Sequence, residues 1–392
     1  MKHTGNTGVT LTILTYVLVI FGVVMVFSAS SYSADANYGS PYYFLIKQII
    51  GVILGTLALI LTANINYKLY IKYKWVALGA GFLLLILVFI PGIGVENYGA
   101  NRWIGLPGFT VQASEIAKFC FIIFAAAHLS ENYQKVKTAK GIFPVIMAGG
   151  LMCLLILLEP NMSITICLGL VMLIMLFLGG ITWKHFMLLL IPAALLVPIL
   201  IFIEPYRLDR LMAFVDPWAN PQGEGYQLIQ SLYSLGAGGL FGVGLFNSVQ
   251  KYLFLPFAES DFIFAIIGEE LGLFGSVIIL GIFLALVVCG IKIAINSKDR
   301  FGCYLAAGIT SLIAVQVVVN VAVVTGSIPP TGLPLPFISA GSSSIIVLMA
   351  CIGILLNINK QNRQAAITCG SAAKLPFKFK KQKIDIDKKE NT

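Results

Sequence analysis

Charged side chains are scarce in this chain. Of its 392 residues only 11% are Asp, Glu, Lys or Arg, against about 25% in an ordinary soluble domain. Such a chain, 58% hydrophobic, cannot clothe a soluble surface. Histidine is scarcer still: His3, His128 and His185 lie far apart, which excludes a metal site built on histidine. The seven cysteines (Cys120, Cys153, Cys167, Cys289, Cys303, Cys351 and Cys369) are scattered, and six fall in apolar runs. None forms a CxxC pair, so neither a zinc site nor a disulfide framework is indicated. The glycine-rich stretch GAGGLFGVG, 236–244, follows no strand and opens no βαβ unit, which excludes dinucleotide binding. The net charge of +9 does not imply nucleic acid, because the charges sit between apolar runs and in the tail. Anionic lipid headgroups are the partner for charges so placed.

What the chain has in abundance is long apolar runs. Ten are read, at roughly 9–28, 43–63, 75–94, 114–129, 141–158, 162–180, 184–204, 262–292, 302–326 and 342–359. Most approach the ~20 residues that cross a hydrocarbon core. The first follows Lys2 and His3 but is too long for a cleaved signal peptide, so it counts as a span. Alternating the loops from an inner N-terminus puts 20 of the 26 Lys and Arg on one side and four (Arg102, Arg207, Arg210 and Lys251) on the other, with Lys47 and Lys118 inside spans. That asymmetry satisfies the positive-inside rule and places both termini in the cytoplasm. The expected fold is an all-α, ten-helix polytopic bundle in the cell membrane, residues 1–360, with a large outer loop at 205–261 between spans 7 and 8 and a basic tail at 361–392 drawn to the inner leaflet. A second outer segment, GSIPPTGLPLPFISAG at 326–341, has no charge and is too rich in Pro and Gly for a helix. It reads as re-entrant or cavity-lining. YQLIQSLYSL, 226–235, reads as a short amphipathic helix lying on the membrane, with Ile229, Leu232 and Tyr233 on its apolar side.

A charge at the bilayer centre costs ~2.5–3.5 kcal/mol, so charged residues within spans are functional candidates. Lys47, near the outer end of span 2, either snorkels to headgroups or lines a cavity for an anionic one. Lys118 lies three residues after Glu115 on one helix face, which suits a structural ion pair or the same kind of cavity. Arg102, in ENYGANRWIGLPG, has the planar fork that binds phosphate, and Trp103 beside it suits an interfacial anchor.

The stretch LPFAESDFIFAIIGEELGLFG, 255–275, carries Glu259, Asp261, Glu269 and Glu270 at the start of span 8. Asp261 or Glu259 suits a helix N-cap. Continued as one helix, the stretch puts Glu269 about 80° and Glu270 about 180° from Asp261, so the four do not form one cluster. Spacing by itself selects no catalytic residue among them.

The chain resembles the SEDS family (shape, elongation, division and sporulation) of bacterial membrane proteins from span 1 to about residue 360. The resemblance rests on NYGANRWIGLPGFTVQASEIAKF (97–119), on 205–245, on ESDFIFAIIGEELGLFG (259–275) and on VVTGSIPPTGLPLPFISAGSSS (323–344). The outer loop is closer in wording to the FtsW and SpoVE branch than to RodA. The resemblance implies a peptidoglycan glycosyltransferase that polymerises lipid II at the outer membrane face, in division, shape or sporulation. It implies Asp261 as the catalytic residue, and Arg102, Lys47, Lys118, Glu115 and Ser343 as substrate-binding residues. It also implies a class B penicillin-binding protein and other divisome or elongasome proteins as partners. A divalent cation, Mg or Mn, suits the leaving pyrophosphate. A carboxylate that accepts the attacking hydroxyl's proton contributes about 10²–10⁴-fold, and basic residues or a cation stabilise the pyrophosphate. Asn161 and Ser163 in EPNMSIT depart from the family's usual Asp and Gly, Ala113 from Pro, and Ala340 and Ser342 from an aromatic and a Gly. The rival readings are a lipid II flippase and a non-catalytic scaffold for a transpeptidase.

Overall fold

A computed structural model describes residues 4–97, 100–106, 109–203 and 205–368. Each of the ten apolar segments is a helix. In chain order they are α1 (Thr4–Tyr38), α2 (Tyr43–Asn64), a short α3 (Lys68–Lys72), α4 (Lys74–Leu87), α5 (Ala113–Glu131), α6 (Ala139–Leu158), α7 (Met162–Leu178) and α8 (Trp183–Ile203). Two loop helices, α9 (Pro205–Val215) and α10 (Tyr226–Gly238), precede α11 (Ile263–Ile295), α12 (Arg300–Val324) and α13 (Ser342–Thr368). Among the described residues seven helices are long and apolar enough to cross a membrane, and α4 and α7 are shorter apolar helices. The helices bury one face and leave Val9, Ile13, Ile20, Leu57, Leu61, Leu83 and many like them exposed. An exposed aliphatic belt on helices of this length is the face that meets lipid.

The interior is built on α5, α12 and the second half of the chain. Phe121 to Ala127 of α5 are all buried, as are Leu305, Ile309, Leu312 and Ile313 of α12 and Leu348 to Leu355 of α13 save Ala350. α2 packs along α13, where the Thr62 hydroxyl donates to the Ala350 carbonyl at 2.8 Å and the Asn357 amide to the Ala63 carbonyl at 2.7 Å. Side-chain hydrogen bonds of this kind hold helices together where water-driven burial is weak.

Four expectations are corrected. The chain is not wholly α-helical: β1 (Gly94–Asn97), β2 (Ala100–Leu106) and β3 (Phe109–Gln112) form an antiparallel meander, with Trp103 opposite Val95 on one side and Gln112 on the other. Each strand is only four to seven residues long. Their glycines read as a turn, but Val95, Trp103, Ile104 and Val111 are residues that favour a pleated surface. Next, α10 does not lie free on a membrane. It buries Leu228, Ile229, Ser231 and Ser234 against α11 and α12, while Leu232 and Tyr233 are exposed. The serines drive this, since Ser231 donates to Val324 O at 2.8 Å and Ser234 to Ala265 O at 3.0 Å. Then, α13 runs to Thr368, past the expected start of the tail at 361, and the rest of that tail lies outside the described residues.

The fourth correction concerns α11. Gly272 has φ +68 and breaks the helix in two. Its freed backbone groups pair with the 239–244 loop: Val243 N–H donates to Glu269 O at 2.9 Å, Gly244 N–H to Glu270 O at 3.0 Å, and Leu273 and Phe274 N–H to the carbonyls of Gly239 and Leu240 at 2.9 and 3.1 Å. A Cβ on Gly272 would lie 2.4 Å from Gly242 N, so only glycine fits this approach. The glycines of 236–244 therefore serve backbone packing. Glu269 and Glu270, expected to point apart, both turn to the same loop. Glu269 accepts from Ser248 Oγ at 2.6 Å, Val249 N at 2.8 Å and Ser234 Oγ at 3.0 Å. Glu270 accepts from Ser28 Oγ at 2.6 Å and pairs with Lys251 at 3.4 Å. Both carboxylates are enclosed and serve to anchor the loop.

Candidate active site

The β1–β3 meander, α9, α10 and the irregular segments 246–262 and 326–341 gather at one end of the bundle. The 326–341 segment has Leu333, Leu335, Phe337, Ile338 and Ser339 enclosed, while its Ser327 and Gly332 are exposed. It is stitched to the chain before α11. Ser339 Oγ donates to Ser260 O at 2.7 Å, and Ala340 N–H to Glu259 O at 2.9 Å. Asn320 of α12 spans the two segments, donating to Asp261 O at 2.8 Å and Leu333 O at 2.7 Å.

Asp261 sits in this frame, half-buried. It is not an N-cap: Phe262 holds that position in α11 and no side chain caps there. Its Oδ1 accepts from Ser260 Oγ at 2.8 Å. Its Oδ2 lies 3.0 Å from where a Cβ on Gly332 would stand, and Gly332 has φ +79, so glycine leaves the carboxylate room. Burial raises the Asp261 pKa above its ordinary value, opposed by the Ser260 hydrogen bond and by the charges of Arg102 and Arg210. Burial likewise raises Glu259 next to it, and Asp261 itself adds to that rise. Two arginines thus act on one carboxylate whose surroundings favour proton uptake.

Arg102, on β2, reaches the C-terminal end of α6. Its Nε donates to Glu159 O at 3.1 Å and its Nη2 to Pro160 O at 2.7 Å. Carbonyls at a helix end lack intrahelical partners and carry partial negative charge, so a guanidinium satisfies them well. Arg210, on α9, pairs at 3.9 Å with Glu224 across a cleft of about 180 Å³ lined also by Tyr226, Gln227, Pro256 and Pro330. That cleft lies beside the two segments that hold Asp261.

The other expected site residues are elsewhere. Lys118 and Glu115 form an ion pair at 2.6 Å, wholly enclosed, and Ser344 Oγ donates to Glu115 at 3.3 Å. Ser343 is buried in the first turn of α13, but Ser344 makes that contact. Lys47 is exposed at the end of α2, donating to Tyr43 Oη at 2.6 Å and lying over the Tyr43 ring, as a snorkelling lysine does. Its carbonyl accepts from Ser342 Oγ at 2.8 Å. So Asp261, Arg102, Arg210 and Glu259 form one electrostatic group, while Lys47 and the Glu115–Lys118 pair border it through the start of α13. Sequence reading missed Arg210, Gly332 and Asn320 as site residues. A lone Asn in the apolar run VVVNVAVV was the one available signal.

The departures from the family pattern cost little locally. Asn161 caps α7, its Oδ1 accepting from Ile164 N at 3.3 Å, a role Asn and Asp share. Ala113 opens α5 at the position where Pro is also favoured. Ala340 contributes its backbone N–H to Glu259 O at 2.9 Å, which its side chain does not alter.

Residues 9–364 match the family model for the cell cycle proteins FtsW, RodA and SpoVE. The chain belongs to that family. It is 38% identical over 356 residues to Stage V sporulation protein E of Bacillus subtilis strain 168, covering 90% of this chain and 97% of that protein. It is 39% identical over 360 residues to a protein named "Probable peptidoglycan glycosyltransferase FtsW" of Geobacter metallireducens, covering 92% of this chain and 96% of that one. In fold it is similar to a chain solved in work on structural coordination of polymerization and crosslinking by a peptidoglycan synthase complex, at TM-score 0.75 and 27% identity, covering 90% of this chain and 98% of that one. The fold also matches RodA of Thermus thermophilus at TM-score 0.64 and 24% identity, covering 90% and 96%.

Proposed function

We infer that this chain is a peptidoglycan glycosyltransferase that joins disaccharide units carried on a lipid pyrophosphate, lipid II, into glycan strands. The relatives named probable peptidoglycan glycosyltransferase support the reaction class. The observation that carries the site is Asp261: a half-buried carboxylate, raised in pKa, engaged by no helix cap and acted on by two arginines. In the proposed reaction a sugar hydroxyl of one unit attacks the anomeric carbon of another. Asp261 takes the hydroxyl proton, the glycosidic bond forms, and the bond to pyrophosphate breaks with its electron pair on the phosphate oxygen. A base whose pKa approaches the working pH is better matched to that task than an ordinary Asp. Arg102 and Arg210 stabilise the departing charge. Pyrophosphate leaves unprotonated, so no second carboxyl acid is needed, unlike in glycosidases.

A divalent cation fits this site in one mode. No group of three or more His, Cys, Asp or Glu that could hold a metal is present among the described residues. Magnesium, however, is commonly held by one or two carboxylates together with substrate phosphates. Asp261 would be that carboxylate, and the ion would neutralise pyrophosphate charge.

The site-bearing end faces outward in this reading. All ten apolar helices cross, both termini are cytoplasmic, and a class B penicillin-binding protein receives the glycan strand. The test uses the full chain, co-purified with its cognate transpeptidase and supplied with lipid II. Wild type is expected to make glycan chains and Asp261→Ala none above background. Unchanged polymer in Asp261→Ala would remove the general-base assignment. Lipid movement across the bilayer without polymer would replace the polymerase by the flippase.

A further inference from the structure

The end of the bundle opposite Asp261 holds a cavity of about 470 Å³ that the proposed chemistry does not use. The helices fix its place. Asp261 stands before the first residue of α11, held by Asn320 near the end of α12. The cavity lies where α11 has ended and α12 begins, at Asp299, Arg300 and Phe301. Lys68 and Ile71 of α3 and Tyr133, just past α5, line it as well. Its frame is rigid. Tyr67, buried ahead of α3, donates its N–H to Asn357 Oδ1 at 3.0 Å and its hydroxyl to Asp299, and its ring stacks on Phe301 with centroids 6.2 Å apart. Ligand sites are concave, roughly 300–1,000 Å³ in volume, and largely formed before the ligand arrives.

The charges around this cavity suit an anion. Arg300 lays its guanidinium over the Tyr133 ring, 3.0 Å from the centroid. Stacking uses the face of the planar fork and leaves its N–H edge for a bidentate acceptor. Lys68 is exposed, and neither it nor Arg300 is in an ion pair among the described residues. The cavity's own acid, Asp299, is engaged already. It is the N-cap of α12, accepting from Gly302 N–H at 2.7 Å and from the Tyr67 hydroxyl, so the positive end of that helix answers its charge. Glu131, the other acid among the described residues of this end, pairs with Lys74. The depth is marked independently. Tyr73 and Trp75 at the start of α4 are exposed, as is Tyr133, and such rings sit where hydrocarbon meets water. The exposed Leu69 and Val76 beside them meet lipid. The cavity thus opens at headgroup level, with Ile71 and Phe301 as an apolar wall and Lys68 and Arg300 as a cationic one.

We propose that this cavity binds the headgroup of an anionic phospholipid, its phosphate held between Lys68 and Arg300 and its glycerol against Ile71 and Phe301. With the Asp261 end outward, the lipid belongs to the inner leaflet, where anionic lipids gather and where basic pockets between membrane helices take their headgroups. The site is built, unlike the diffuse attraction of the exposed Lys135, Lys137 and Lys140 on the α5–α6 connection. A soluble phosphate would share the two cations but gain nothing from the apolar wall. The site does not depend on the reaction assigned to Asp261, and binding in detergent reads it separately from the sidedness of the chain.

The test counts lipids bound to the purified full chain in neutral detergent by native mass spectrometry. Dioleoylphosphatidylglycerol and dioleoylphosphatidylcholine are titrated in turn, the first also against ammonium phosphate. Wild type is expected to bind the first phosphatidylglycerol about tenfold or more tightly than phosphatidylcholine, the size of one charge-assisted contact. Lys68→Gln combined with Arg300→Gln should erase that preference. Lys135→Gln combined with Lys137→Gln removes as much charge from exposed positions outside the cavity and should keep it. Should the cavity double variant not accumulate as folded protein, Lys68→Gln alone, at an exposed side chain, should weaken phosphatidylglycerol about tenfold. Equal binding of the two lipids by wild type overturns the proposal, because no headgroup is then recognised. A cavity variant that keeps the preference overturns it too, and so does an equal loss in both double variants, which leaves only diffuse attraction. Phosphate ions that displace phosphatidylglycerol at equal concentration would give the site to a soluble phosphate and overturn the lipid assignment.

Discussion

At the scale of single residues, the site depends on where carboxylates are allowed to carry charge. Asp261 has to be ionised to accept a proton, and its pKa is raised by burial and held down by Ser260, Arg102 and Arg210. Polymerisation is therefore full above that raised value and falls as pH drops through it, at a higher pH than for an ordinary Asp. Arg210→Gln removes one of the charges holding it down, so the acid limb of kcat should move to higher pH. The move should be less than about one unit, because Arg210 is half-exposed and its field is screened. A limb that stays in place would show that Arg210 does not act on Asp261. The enclosed Lys118–Glu115 pair obeys a different rule. Removing one partner strands a buried charge, so Lys118→Ala should cost about 3–5 kcal/mol in reversible unfolding, while replacing both residues by Met or Leu should cost far less. Spacing alone exposed this pair in the sequence, since three residues on one helix face is a short-range rule. Asp261 needed the family resemblance. Arg102 and Arg210, both more than 50 residues before it in the sequence, reach it only through the fold, and no local pattern encodes that approach.

At the scale of elements, the ten helices were legible because apolar runs of this length have few alternatives. Their internal irregularities were not. Gly272 looks like any small residue in a span, yet its φ of +68 divides α11 and lets the 239–244 loop complete the backbone hydrogen bonds. Helical spacing carried from Asp261 to Glu270 fails because the helix begins only at Ile263 and both glutamates face a loop 20 residues upstream. Gly272→Ala meets both a left-handed backbone and a Cβ 2.4 Å from Gly242 N. That positive-φ, extended-ψ conformation, open essentially to glycine alone, costs about 1–3 kcal/mol, and the clash adds to it. The variant should melt earlier in detergent and lose polymerisation. Gly281→Ala, farther along the same helix with nothing within 4 Å of a new Cβ, should match wild type in both assays. Equal behaviour of the two variants would contradict the stitched break. The three short strands escaped notice for a related reason: runs of four to seven residues are too short for alternation to stand out against interspersed glycine.

At the scale of the whole molecule, the charge asymmetry predicts sidedness that an impermeant thiol reagent can read in intact cells. Gln222→Cys, in an exposed turn before α10, should label from outside, and Lys137→Cys, exposed between α5 and α6, only after the membrane is opened. Labelling in the reverse order would invert the topology. The divided α11 has a further bearing on how such a protein lives in its bilayer. The long portion after Gly272 is an aliphatic rod with Leu273, Val277, Ile278, Leu284 and Ile291 exposed, so it tilts with the thickness of the lipid around it. The short stub before Gly272 is clamped instead by Glu269, Glu270 and the paired loop. A joint between the two acts as a suspension: the rod can lean as lipids vary while the aspartate beyond the stub keeps its station.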